Sequence, residues 1–370
     1  MHAVVFGPRR LWTALLIAAV VPAAVWMLVR GAAQGPANGD AISVSVDEPD
    51  APYHAEEVRF ASGGNNLAGV LAIPRTAGPH PAVVFVHGSG PLTRNDFSVH
   101  PPLREHLARQ GIASLCWDKP GVGGSTGDWT DQSFQNRAQE VLDSVEFLRR
   151  RNDIDQRHVG LWGISQGGWI CPLATSLSPD VSFLILVSAP ACTIAEQDLF
   201  RIEQGMRADG MPEQEITLAL DFTRRRIDFF WNGSFDELDA AQRQVAGRRW
   251  FTNYVHRLGP RDFAFGARNI AYNGRPALQG VKCPVLIIVG ERDTIVPSKE
   301  SAITIKEILT KAGNPDVTIG TIPEADHFLQ VTATRARAEM PREQLIRSLA
   351  PGYVSTVTDW LHERLESRSP

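Results

Sequence analysis

Leu161-Trp162-Gly163-Ile164-Ser165-Gln166-Gly167-Gly168 sets a serine between glycines, directly after the apolar run Val159 to Trp162 and ahead of a helix-compatible segment. That context predicts a sharp strand-to-helix turn, with the serine hydroxyl raised above a sheet. Side chains at 163 or 167 would strike neighbouring backbone in such a turn, so glycine is required on both sides. The same geometry puts Ser165 at a helix N-terminus, whose partial positive charge favours a developing anion. The pattern G-x-S-x-G recurs at Gly123-Gly124-Ser125-Thr126-Gly127, but there it trails the apolar run ending at Trp117 by several loop residues. A bare match arises by chance in a glycine-rich chain, so Ser125 is read as a loop residue. The second stretch also lacks the Gly-Lys-Ser/Thr ending of a phosphate loop.

Outward from Ser165, the runs Ala82 to Val86, Ile112 to Trp117, Val159 to Trp162, Phe183 to Val187 and Val285 to Val289 are apolar throughout. Continuous apolar runs suit strands buried on both faces of a parallel sheet. Between them Ala138, Val141, Val145 and Leu148 keep a helical period, and a weaker stripe joins Leu103 to Leu107. This alternation predicts an α/β fold with a doubly wound, mostly parallel sheet. Ahead of it, Val58 to Phe60 and Leu67 to Leu71 flank Ser62-Gly63-Gly64-Asn65-Asn66, a hairpin pattern. The alternation lapses over 191–280, where Ile216, Leu220, Ile227 and Phe230 keep a helical period. A helical insertion is expected there. Its aromatic residues, Phe222, Phe229, Phe230, Trp231, Trp250, Phe251 and Tyr254, suggest a cap over a site.

The expected organisation is an N-terminal hydrophobic segment at 1–33, a linker at 34–55, a core in two parts at 56–190 and 281–370, and the helical cap insertion between them. Arg9-Arg10 precede an uncharged run from Leu11 to Val29, which as a helix approaches the ~30 Å hydrocarbon thickness. Its length favours a membrane anchor, whereas Gly31-Ala32-Ala33 suits signal-peptide cleavage. Either outcome places the body outside the cytoplasm, secreted, periplasmic or tethered, with membrane contact through this segment alone.

A serine hydroxyl needs a base to accept its proton, and the base needs a carboxylate to fix its tautomer. The order expected in this architecture is Ser, acid, His. After Ser165, the strand ending in Gly290-Glu291-Arg292-Asp293 puts Asp293 on the loop beyond a carboxyl edge, where ligands bind in open α/β sheets. The run Val317 to Ile322, followed by Glu324-Ala325-Asp326-His327, puts His327 on the adjacent loop. Glu291 is a minor rival acid, and Asp326 stands too close in sequence to orient its neighbour. An oxyanion hole needs two backbone N–H groups. Gln166 is one expected donor, and Ser89 in His87-Gly88-Ser89-Gly90-Pro91 is the other.

The 370 residues are 43% hydrophobic and 21% charged, which disfavours disorder and a polytopic membrane protein. A net charge of −4 gives no field for nucleic acid. Arg224-Arg225-Arg226 and Arg248-Arg249 are read as solvated helix faces. The four cysteines, Cys116, Cys171, Cys192 and Cys283, lack metal spacing; Cys116 and Cys171 fit small buried hydrophobes. Neither H-E-x-x-H nor a His/Asp cluster at ligand spacing appears.

From about Glu56 to the end the chain resembles the α/β-hydrolase superfamily. The stretches His87-Gly88-Ser89-Gly90-Pro91, Asp118-Lys119-Pro120-Gly121-Val122-Gly123-Gly124-Ser125 and Gly163-Ile164-Ser165-Gln166-Gly167-Gly168 resemble bacterial serine carboxylesterases with a helical cap insertion. The resemblance implies hydrolysis of small-molecule esters of short to medium acyl chains, without a cofactor. It also implies that Asp118 and its loop are structural. The departure is Lys119, where such proteins usually carry arginine; it bears on a loop contact and not on Ser165, Asp293 or His327. An oligopeptidase or aminopeptidase, a thioesterase and an acyltransferase would use the same residues, although the N-terminal stretch leaves no room for an oligopeptidase propeller. A catalytically silent binding module of the same fold is expected to have lost the serine, the histidine or an oxyanion glycine, and none is missing.

Overall fold

The computed structural model describes residues 51–95, 100–331 and 349–366. The N-terminal segment read as an anchor or signal peptide lies outside them. Among the described residues no helix is long and apolar enough to cross a membrane.

The first two strands, β1 (Tyr53–Ser62) and β2 (Asn65–Pro74), form an antiparallel hairpin. Gly63 and Gly64 close it at φ 54° and 82°, conformations that other residues rarely tolerate. β1 starts earlier than Glu56, because Tyr53, His54 and Ala55 pair with Pro74, Ile73 and Ala72. Then β3 (His80–Val86), α1 (His100–Arg109), β4 (Ala113–Trp117), α2 (Phe134–Arg149), β5 (Ile154–Ile164), α3 (Gly167–Leu177) and β6 (Leu184–Val187) alternate along the chain. A capping box between Ser133 and Asn136 starts α2.

The chain leaves β6 into a wholly helical segment: α4 (Ile194–Ala208), α5 (Glu213–Asn232), α6 (Phe235–Val245), a π turn at Phe251–Val255, α7 (Pro260–Asn269) and α8 (Arg275–Leu278). It returns through β7 (Val285–Gly290), α9 (Ser298–Lys311), β8 (Val317–Ile322) and α10 (Tyr353–Glu366). The eight strands lie in the order β1-β2-β4-β3-β5-β6-β7-β8. β2 runs antiparallel to β4, and from β4 to β8 neighbouring strands are parallel.

Strand periodicity divides the interior in two, since successive side chains point to opposite faces. Val84, Val86 and Leu161 pack with α2, α3 and α9, whereas Val83, Phe85 and Trp162 pack with α1 and α10. Trp162 is fixed twice, edge-on against Phe85 and by its indole N–H to the Tyr353 hydroxyl at 3.0 Å.

The helical segment has a third apolar core of its own, containing Phe222, Trp250, Phe251 and Tyr254. Most of the aromatics expected to line a site therefore pack on one another, while Trp231 is 55% exposed. Of the two basic clusters, Arg225, Arg248 and Arg249 are exposed as expected, and one residue of the first differs. Arg224 is exposed and pairs with Asp221, but Arg226 is buried, donating to Asp198 and to the Val255 carbonyl. A guanidinium in an apolar interior needs such a paired carboxylate. Cys116 and Cys171 are buried and form no disulfide with another described cysteine, as their apolar surroundings predict.

Candidate active site

Ser165 follows β5 directly and has φ 55°, a conformation that costs a residue other than glycine on the order of 1–3 kcal/mol. The surrounding packing holds it there. Its N–H donates to the Val187 carbonyl at 3.0 Å, and its own carbonyl accepts from Gly168 N–H at 2.8 Å. A Cβ at Gly163 would stand 2.5 Å from Cys171 Sγ, and one at Gly167 would stand 2.6 Å from the Val86 carbonyl oxygen. Both glycines are therefore obligatory for close approach, and the second presses the start of α3 onto the end of β3.

Asp293 and His327 lie on the loops after β7 and β8. His327 Nδ1 is 2.9 Å from Asp293 Oδ2, with side chains only 4% and 1% exposed. The other carboxylate oxygen of Asp293 accepts from the N–H groups of Ile295 and Val296, each at 2.9 Å. An acceptor held at both oxygens in this way is fixed in place to orient the imidazole. Gly290 lets the two loops meet: a Cβ there would lie 2.2 Å from the Asp326 carbonyl oxygen. The histidine loop is tied back to the serine by Ser188, which follows β6 at φ 46° and donates its hydroxyl to the His327 carbonyl at 2.9 Å. Ser165, through Val187, and His327, through Ser188, are thus anchored to consecutive residues at the end of one strand.

The stretch His87 to Gly90 leaves the end of β3 beside the Ser165 turn, and Gln166 is the N-cap of α3. Lys119, 1% exposed, donates to the carbonyls of Gly88 at 2.6 Å and Gly90 at 2.7 Å. Arg137, also buried, donates to the His87 carbonyl at 3.1 Å and to the Gln166 side-chain oxygen. Burial, reinforced by Lys119, pushes the His87 imidazole down to about 3, so it is neutral. Its Nε2 lies 2.6 Å from the Trp117 carbonyl oxygen. Burial raises the Glu140 carboxyl to about 7 against the opposing pull of Arg137. Among the described residues there is no group of three His, Cys, Asp or Glu that could hold a metal.

The alpha/beta hydrolase family model matches residues 83–340. The chain belongs to this family. It is 25% identical over 271 residues to esterase EstD of Thermotoga maritima, a match covering 72% of this chain and 58% of EstD. A shorter stretch of 114 residues is 32% identical to thiohydrolase aneE of Aspergillus aculeatus, covering 30% of this chain and 34% of that protein. The fold is similar to that of the Pyrococcus furiosus esterase Pf2001, with a TM-score of 0.56 at 17% identity, over 88% of this chain and 97% of that one.

In this alpha/beta hydrolase the rival residues have other employment. The Ser125 hydroxyl donates to the Asp118 carbonyl at 2.7 Å and accepts from Ala68 N–H at 2.9 Å. Asp118 accepts from the N–H groups of Arg94 and Gly124, the structural part expected of its loop. Glu291 accepts from Glu324 N–H, and Asp326 from Phe328 and Gln330 N–H. Two open clefts, of about 480 Å³ beside α3 and α8 and about 700 Å³ near the start of β6, contain none of Ser165, Asp293 and His327. Sequence reasoning missed Arg137 and Ser188. Arg137 could have been noticed as a charge in the apolar stripe of α2, between Phe134 and Val141; nothing local marks Ser188.

Proposed function

We propose that this hydrolase is a serine carboxylesterase for small-molecule esters of short to medium acyl chains. The observation that carries the reading is the buried 2.9 Å pair of Asp293 and His327 on loops anchored beside the strained Ser165 turn. The esterase EstD supports ester rather than another acyl bond. Ser165 Oγ attacks the acyl carbon while His327 Nε2 accepts its proton, and the resulting oxyanion is held by the Ser89 and Gln166 N–H groups. The protonated imidazole then delivers that proton to the departing alkoxide. Water repeats the sequence on the acyl-enzyme, releasing the acid and Ser165.

The helical segment 191–280 is assigned as a cap that sets acyl length, and the Leu11 to Val29 run favours a location outside the cytoplasm. The test of the activity is turnover of p-nitrophenyl esters from acetate to palmitate beside acyl thioesters and aminoacyl amides. Preferred turnover of the shorter esters is expected, and amide cleavage without ester cleavage would overturn the reading. The match to thiohydrolase aneE favours one second reading, a thioesterase, which the thioester arm identifies if it exceeds the oxygen esters. A periplasmic-reporter fusion after residue 33 tests the location, with signal expected only if the fusion is exported.

A further inference from the structure

In a trans peptide unit the carbonyl and the following N–H point in opposite directions, because the six atoms share a plane. A cation that grips the carbonyl of one residue therefore aims the N–H of the next away from itself. Lys119 grips the Gly88 carbonyl at 2.6 Å, which fixes the direction of the Ser89 N–H. Arg137 grips the His87 carbonyl at 3.1 Å and, with its other arm, the side chain of Gln166. One guanidinium thus spans the gap between the two loops that must converge on a single oxygen atom. Both cations are buried, and the nearby carboxylate, Glu140, is spoken for by Gln132.

We propose that Lys119 and Arg137 are positioning residues of the oxyanion hole: Lys119 holds the Gly88 carbonyl behind the Ser89 donor, and Arg137 holds the preceding peptide unit and locks the Gln166 side chain to the same frame. The arrangement rests on the esterase reading above. It goes further in assigning a role to two cations that touch neither the nucleophile nor the base. The grip on the Gly88 carbonyl also polarises that peptide unit, so the Ser89 N–H presented to the developing negative charge is a stronger donor than an isolated amide. The ground-state ester carries no such charge, so the benefit falls on the transition state.

The experiment compares Lys119→Met, Lys119→Arg, Arg137→Met and Gln166→Met, with Ser165→Ala as control. Three quantities are read: kcat per Ser165 titrated to completion with a fluorophosphonate, KM, and the Ki of a trifluoromethyl ketone, whose adduct carries the oxyanion. Lys119→Met and Arg137→Met should lower kcat per titrated site by about 10²–10³-fold with little change in KM, the loss typical of one misplaced oxyanion donor. The ketone Ki should rise in proportion. Lys119→Arg, which keeps donors for both glycine carbonyls, should restore most of the loss. Gln166→Met leaves both buried cations and the backbone N–H in place, so it remains informative where loss of a buried cation prevents folding. It should show a smaller fall in kcat with a matching rise in Ki. Unchanged kcat per site and unchanged Ki in Gln166→Met and in every methionine variant that folds overturns the positioning role alone. An active Ser165→Ala variant instead overturns the esterase reading beneath it.

Discussion

Ser125 and Ser165 sit in the same five-residue pattern, and the chain uses them in opposite ways. Around Ser165 the flanking glycines clear space for Cys171, for the β3 backbone and for a residue held at φ 55°. Around Ser125 they serve a different need: Gly123 makes room for the Asp118 carboxylate, and a Cβ there would lie 2.3 Å from its oxygen. The Ser125 hydroxyl is consumed by two backbone bonds, so it stitches its loop to β2. The pattern acquires meaning from what precedes it. Ser165 stands directly at the end of β5, whereas Ser125 lies on a loop folded back on β2, where the Asp118 carbonyl takes its hydroxyl.

The harshest trial of this contrast is Ser165→Ala, expected to lower kcat by about 10⁶-fold, as loss of the nucleophile does in a Ser-His-Asp hydrolase. Mass spectrometry after fluorophosphonate treatment should show no adduct; an adduct that survives here and vanishes in Ser125→Ala would reverse the two roles. Next in size is Asp293→Asn, which should reduce kcat by about 10⁴-fold by leaving the imidazole in the wrong tautomer. Steady-state kinetics showing a loss of the same size in Glu291→Gln would remove the distinction between the two acids.

Ser125→Ala itself should leave kcat per titrated site unchanged while lowering stability by about 1–3 kcal/mol, since Ala68 N–H and the Asp118 carbonyl lose a buried partner. Urea unfolding measures that cost, and a stable but inactive variant would contradict the assignment. Glu291→Gln should have the smallest effect, below about 1 kcal/mol in the same assay, because among the described residues the exposed carboxylate accepts one hydrogen bond, from the Glu324 N–H.

The parts of this molecule that were legible in the sequence are those whose cause is local. Apolar runs such as Val285 to Val289 are strands because they are buried on both faces, and the runs alone imply that burial. The placement of Asp293 and His327 on adjacent loops was legible because each closely follows such a run. The contacts of Lys119 and Arg137 with the loops beside Ser165 were not legible, since their partners lie 29–50 residues away along the chain and no pattern links the positions. The aromatics of the helical segment illustrate the same limit from another side. Their period reveals helices, but period alone does not say whether Trp250 faces a substrate or Phe222; the two rings are 5.8 Å apart. Arg226 was misread as solvated because its partner, Asp198, belongs to another helix.

That third apolar core has a consequence for how such a protein changes over generations. The segment between β6 and β7 packs largely on itself, around Ile202, Ile216, Leu238 and Trp250. Among its ties to the acid loop is the Gln197 side chain, which donates to the Ile295 carbonyl at 2.7 Å. A volume change inside the segment is therefore absorbed mainly by its own helices, because packing strain is passed between atoms in contact. The strained serine and its paired loops draw their rigidity from a different set of side chains. Mutation can accordingly explore new shapes in the helical segment while the sheet goes on presenting the same serine and the same paired loops, much as a tool keeps its handle through many changes of blade.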